Sequence, residues 1–106
     1  MISESKYKDI LYSAKRRNIE CNVSLDYLNG LLDGQNGRCY YTDLCISAPN
    51  RRGGTASLDR IDSTLPYEPG NVVWVHTDIN YMKHCLTEER FYELVELVHK
   101  KRKSED

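Results

Sequence analysis

The chain has 106 residues, 40% hydrophobic and 29% charged, with a formal net charge of -1. That length fits one domain with a modest core, burying roughly two thirds of the surface its unfolded form exposes. The composition excludes a largely disordered, collagen-like or coiled-coil chain, and no apolar run approaches the ~20 residues of a membrane span.

Apolar residues Tyr7, Ile10, Leu11 and Ala14 recur at helical spacing, predicting a helix over about 4–17 with Ser3 or Ser5 as its cap. A second helix is predicted over 24–33. Ser24 is a natural N-cap, Leu25, Leu28, Leu31 and Leu32 fall on one side, and Gly34 to Gly37 stop it. Arg38–Thr42 reads as a short strand, with Leu44–Ile46 as its return and 49–54 as a loop.

Ala56–Asp62 alternates polar and apolar residues, the pattern of a strand, and 63–70 is turn-rich, with Pro66, Pro69 and Gly70. Val72-Val73-Trp74-Val75 is the strongest strand signal, with Trp74 expected in the core. A helix over roughly 76–84 follows, with Ile79 and Met82 as its apolar side. A last helix opens at Thr87. Glu88 and Glu89 suit its first turn, Leu86 and Phe91 stand as a hydrophobic staple, and 99–106 is expected to fray. The fold class is therefore α+β with a small antiparallel sheet.

Charge is clustered although the total is near zero. Lys15-Arg16-Arg17, Arg51-Arg52 and Lys100 to Lys103 are three basic groups that suit a nucleic-acid backbone. The cysteines are Cys21, Cys39, Cys45 and Cys85, without a CxxC pair, and are expected to be reduced. Met1 to Lys6 carry no apolar signal core, so the expected location is cytoplasmic, with no membrane contact.

The stretch 57–83 concentrates chemistry-bearing residues. Asp59, Arg60 and Asp62 lie on one predicted strand, Asn71 precedes the next, and His76, Asp78, Asn80 and Lys83 follow on the helix. A hairpin packed on a helix can bring Asp59 and Asn80 together as oxygen ligands of one hard cation, for which Mg²⁺ is suited.

Ser57-Leu58-Asp59-Arg60-Ile61-Asp62-Ser63, Tyr67, Gly70-Asn71-Val72-Val73-Trp74-Val75 and Asn80-Tyr81-Met82-Lys83 together resemble an HNH endonuclease domain of the phage-type branch. Gln35 to Asp43 resembles that branch's first strand, with Asp43 where a glycine is usual. The resemblance covers about residues 24–84 and suggests a phage- or virus-encoded chain. It implies a ββα-metal (His-Me finger) hairpin-plus-helix core over about 36–84. Accessory helices at about 4–33 and 87–100 would complete a single domain, 1–106.

The resemblance implies Asp59 and Asn80 as ligands of Mg²⁺ or Mn²⁺, Asn71 as the brace of the loop, and Lys83 as a phosphate neighbour. Arg60 stands where the family has its general-base histidine. Arginine stays protonated near neutral pH, so it can clamp phosphate but cannot serve as the base. Asp62, His76 and a metal-lowered water remain as the three ways to activate the nucleophile.

Many members also hold a structural zinc through two CxxC pairs. Here those positions read Cys39-Tyr40-Tyr41-Thr42 and His76-Thr77-Asp78-Ile79, leaving Cys39 and His76 as remnants. Hydrophobic packing is expected in place of zinc.

The function expected is a metal-dependent endonuclease acting on double-stranded DNA. Arg51, Arg52, Arg60 and Lys83 would contact the backbone. A monomer would nick, and a homodimer would cut both strands. The alternatives are a nucleic-acid-binding module that keeps the fold with weakened catalysis, and a protein-interaction domain in which Asp59 to Asp62 is only a turn network.

Overall fold

The computed structural model describes residues 1–48 and 54–105. The Arg51-Arg52 cluster and most of the predicted 49–54 loop lie outside the described residues. Among the described residues the architecture is α+β: four helices and one two-stranded antiparallel sheet.

Helix α1, Glu4–Arg16, starts where Ser3 accepts a hydrogen bond from the Lys6 N–H at 3.1 Å. Ala14 is buried, and Tyr7 and Ile10 pack on the core beside it. Helix α2, Leu25–Gly34, starts the same way, with Ser24 accepting from the Tyr27 N–H at 3.0 Å. An N-cap side chain satisfies one of the orphan donors of a first turn. Leu28 and Leu32 carry the buried face of α2.

The predicted strand pair over 38–46 reduces to a single bridge, Arg38 with Cys45. The chain reverses too tightly for a ladder. The Cys39 N–H bonds to the Leu44 carbonyl at 2.8 Å, and Asp43 sits at φ 60. The next donor, the Tyr40 N–H, turns away to the Trp74 carbonyl at 3.0 Å.

Strand β1, Ala56–Arg60, pairs antiparallel with β2, Val72–His76, in the register Leu58 opposite Trp74 and Asp59 opposite Val73. All of Val72 to Val75 is buried. Trp74 is 1% exposed and donates its indole N–H to the Leu28 carbonyl at 2.9 Å, so it is core, as its apolar setting predicted. Strand β1 ends at Arg60, which leaves Asp62 in the turn that follows rather than on the strand.

Helix α3, Thr77–Lys83, follows β2 without a linker. Its buried face differs from the prediction. Ile79 packs on the core, but Met82 is 60% exposed and Lys83 is buried in its place. Helix α4, Glu88–Glu105, starts with the Thr87 hydroxyl accepting from the Arg90 N–H. The helix does not fray at 99. Lys101 and Glu105 form an i,i+4 ion pair at 3.1 Å, and the Ser104 hydroxyl donates to the Lys101 carbonyl. Among the described residues, no helix is long and apolar enough to cross a membrane.

Gln35 ties α2 to the sheet. Its amide oxygen accepts from the Trp74 N–H at 2.9 Å, and its amide nitrogen donates to the Trp74 and Arg38 carbonyls at 2.8 Å each. One side chain thus stands in for a third strand on the outer edge of β2. Gln35→Ala leaves a buried backbone donor unpaired and should destabilise the chain by about 1–3 kcal/mol. Urea unfolding of the variant beside the wild type checks this.

Candidate functional site

Strand β1 and helix α3 meet at an open cavity of ≈ 460 Å³. Arg17, Ser57, Asp59, Arg60, Asn80 and His84 are among the residues on its wall. The hairpin and the helix therefore bring the two predicted metal ligands, Asp59 from β1 and Asn80 from α3, to one cavity.

Asp59 is 7% exposed, and Lys83 is 1% exposed. The Lys83 Nζ lies 3.0 Å from Asp59 Oδ2. It also donates to the Arg60 carbonyl at 3.1 Å. The approach to Oδ2 is ionic rather than a directed hydrogen bond, so this buried oxygen has no hydrogen-bond partner. Burial pushes the Asp59 carboxyl above its ordinary range, while Lys83 and the Arg60 backbone pull it down less strongly. Lys83 was expected near a phosphate. Its burial and its two partners place it inside the fold instead, as the counter-ion of Asp59.

Asn80 donates its side-chain N–H to the Ser57 hydroxyl at 2.6 Å. Its amide oxygen has no protein partner among the described residues. Asn71 sits as the loop brace. Its oxygen accepts from the Asp62 N–H at 2.9 Å, and its nitrogen donates to the carbonyls of Asp62 at 3.0 Å and Pro66 at 2.9 Å. Three bonds from one buried amide fix the turn that follows Asp59 and Arg60.

The Arg60 guanidinium donates to the Ser63 carbonyl at 2.8 Å and the Leu65 carbonyl at 2.9 Å, and lies 5.3 Å from the centre of the Tyr67 ring. It is on the cavity wall but held by the turn. Arg17, from the end of α1, donates to the Tyr67 hydroxyl at 3.2 Å.

The two protein groups put forward as bases stand elsewhere. Asp62 points one carboxylate oxygen at the backbone and hydroxyl of Thr64, at 2.9 and 2.6 Å, and these bonds hold its carboxyl below the usual range. His76 caps α3, its Nδ1 accepting from the Asp78 N–H at 3.1 Å. Neither lines the cavity. The histidine that does is His84, at the C-terminal end of α3 with φ 49. Sequence reasoning missed it. Its signal was position, since i+4 from Asn80 on a helix is the same face.

Of the zinc remnants, Cys39 is 1% exposed. Burial raises its pKa, but hydrogen bonds from the Thr42 side chain and from the backbone of His76, Tyr41 and Thr42 outweigh it, and the net shift is downward. Among the described residues, no group of three or more His, Cys, Asp or Glu side chains is placed to hold a metal ion.

Comparison with known proteins returned no matching family model, no matching curated protein and no matching solved structure.

The Asp59–Lys83 pair predicts a pH-dependent loss. Lys83→Met should leave Asp59 buried without a counter-ion, at a cost of about 3–5 kcal/mol where the carboxyl is ionised. A raised native pKa means that the folded state holds its proton to higher pH than the unfolded chain. Stability from this group is then fully present at acidic pH and lost as pH rises. The variant should therefore be close to wild type in acid and fall away towards neutral pH. Asp59→Asn with Lys83→Met should recover most of the loss. Urea unfolding of the three chains at both pH values checks the sign.

Proposed function

We propose that the chain is a metal-dependent DNA endonuclease of the ββα-metal type. The observation that carries this reading is that Asp59 and Asn80, from two different elements, line one cavity whose other charged lining is basic.

The residues fit a divalent cation. Asp59 and Asn80 both line the cavity. Asp59 Oδ2 is buried 3.0 Å from the Lys83 ammonium, and the Asn80 amide oxygen has no protein partner among the described residues. Both are hard oxygen donors, the type that Mg²⁺ or Mn²⁺ takes in small number beside substrate oxygens. When bound, such an ion neutralises phosphate charge and lowers the pKa of a coordinated water.

The chain's own groups do the rest. Lys83 offsets the charge of Asp59, so the cavity presents the guanidinium groups of Arg17 and Arg60 against no uncompensated carboxylate. That field favours a phosphodiester over a neutral substrate. Arg60 is fixed before substrate arrives, which suits charge stabilisation without reorganisation. Asn71 holds the turn that fixes Arg60. Of the chain's three histidines, His84 alone lines the cavity, and it takes the proton of the attacking water in this reading.

One observation favours a second reading. The ammonium of Lys83 already sits where a cation would act on Asp59. A domain that binds the nucleic-acid backbone without cutting would use the basic cavity and leave this ion pair intact.

A plasmid-nicking assay with Mg²⁺ or Mn²⁺ against EDTA separates the two. The nuclease should nick only with the metal. Asn80→Ala, which spares the Asp59–Lys83 pair, should lower the rate at least ~100-fold, and His84→Ala by about 10²–10⁴. Asp62→Asn and His76→Ala should leave it largely unchanged. Salt-sensitive DNA binding with no nicking in either metal would establish the binding module instead.

A further inference from the structure

The cavity of the candidate site does not end at Asn80. A second one, of ≈ 410 Å³, shares Arg17, Ser57, Tyr67 and Asn80 with it and continues along helix α1. The two make one trough. Its outer wall is α1, through Lys6, Asp9, Ile10, Ser13 and Arg17. These follow i, i+3, i+4, i+7 and i+11 spacing, so they share one helical face. From Lys6 to Arg17 the wall runs about 16 Å.

Arg17 stands where the two cavities meet, and it is held there. Tyr67 takes the Arg17 guanidinium on its hydroxyl at 3.2 Å and the Arg60 guanidinium over its ring at 5.3 Å. Tyr67 is itself buried and bonded to the segment that follows α1. Its N–H donates to the Glu20 carbonyl at 3.0 Å, and its carbonyl accepts from the Asn22 N–H at 2.7 Å. One tyrosine thus sets the spacing of two cations, one brought by α1 and one by β1. Arg17 is exposed and, among the described residues, pairs with no carboxylate. Its guanidinium gives one donor to Tyr67 and keeps the others for a ligand. Asp9 is the one carboxylate on the described wall of the second cavity. Lys6, one turn away on the same face, offsets it, which leaves the charge of Arg17 uncancelled. A fixed, exposed and unmatched guanidinium suits phosphate.

We propose that Arg17, positioned by Tyr67, is a second phosphate subsite. It takes a neighbouring phosphodiester of the strand whose scissile phosphate lies at the Asp59–Asn80 wall, so the strand leaves the site along α1. The proposal rests on the nuclease reading for the scissile phosphate alone. The preferred substrate is then a polymer that carries charge beyond the bond to be cut, rather than an isolated phosphodiester.

Anisotropy of a short fluorescein-labelled DNA duplex, titrated in EDTA from about 50 to 200 mM salt, tests binding without cleavage. Arg17→Ala should weaken binding about 10-fold and reduce the slope of log K against log salt by about 1. Arg17→Lys keeps the charge and should keep the slope. Tyr67→Phe keeps the ring beneath Arg60 and removes the anchor of Arg17, so binding should weaken with the slope unchanged. With Mg²⁺, Arg17→Ala should slow plasmid nicking at least ~10-fold more than hydrolysis of bis(p-nitrophenyl) phosphate, which offers a single phosphate. Unchanged affinity in Arg17→Ala overturns the subsite. So does a weaker affinity at unchanged slope, which marks Arg17 as a structural tie. Equal losses on the two substrates overturn the assignment to a second phosphate. Failure of the nuclease reading looks different: the altered slope persists, and neither substrate is cut with any metal. A wild type that binds no DNA overturns both.

Discussion

Lys83 and Asp59 join the strand to the helix that follows it, and the site is arranged around that contact. An ammonium and a carboxylate, almost without exposure, sit 3.0 Å apart. Taking both from water is costly, and their attraction offsets the cost only if further bonds complete the arrangement. Lys83 finds one in the Arg60 carbonyl, but Asp59 Oδ2 finds none. The pair is therefore better understood as a positional lock than as a source of stability. Apolar side chains of similar volume would hold α3 against β1 as well, but would not fix the carboxylate at the cavity wall.

One neutral tie repeats that link, and a second braces the turn beside it. Ser57 reaches Asn80 from the strand to the helix, and Asn71 holds the turn beyond Arg60. Asn71 makes its bonds almost out of solvent, where a bond is stronger and a lost bond more costly, whereas the Asn80–Ser57 bond lies on the wall of the open cavity. A domain of this size has a small core, so polar ties have a large share in setting the angle of a helix seven residues long. The geometry of the site and the geometry of the fold are set by the same atoms.

Much of this was legible in the sequence because it rests on local pattern. The Ser24 cap, the Leu28 and Leu32 face, the Val72 to Val75 run and the convergence of Asp59 with Asn80 all follow from spacing and residue type. What was not legible depends on partners distant in the chain. Nothing local says that Lys83 rather than Met82 turns inward, because a buried lysine is stable only if a carboxylate is already there to meet it. Asp62 continues an alternating pattern, yet the Asn71 side chain takes its backbone and ends the strand at Arg60. The hairpin expected at 38–46 loses its ladder because Gln35 and Tyr40 use their polar groups on Trp74. The C-terminal lysines read as fraying by composition, and an i,i+4 partner carries the helix through them.

Arg60 brings these threads to one residue. Its backbone carbonyl receives Lys83, its guanidinium donates to Ser63 and Leu65, and its charged plane faces Tyr67 on the cavity wall. A histidine there could accept a proton but could not donate to two turn carbonyls from one nitrogen, because each imidazole nitrogen offers at most one bond. Exchanging arginine for histidine would therefore alter the turn as well as the proton chemistry. A position that brings positive charge to the cavity wall also holds the turn beside it. Base and brace cannot both be supplied from one side chain at this position.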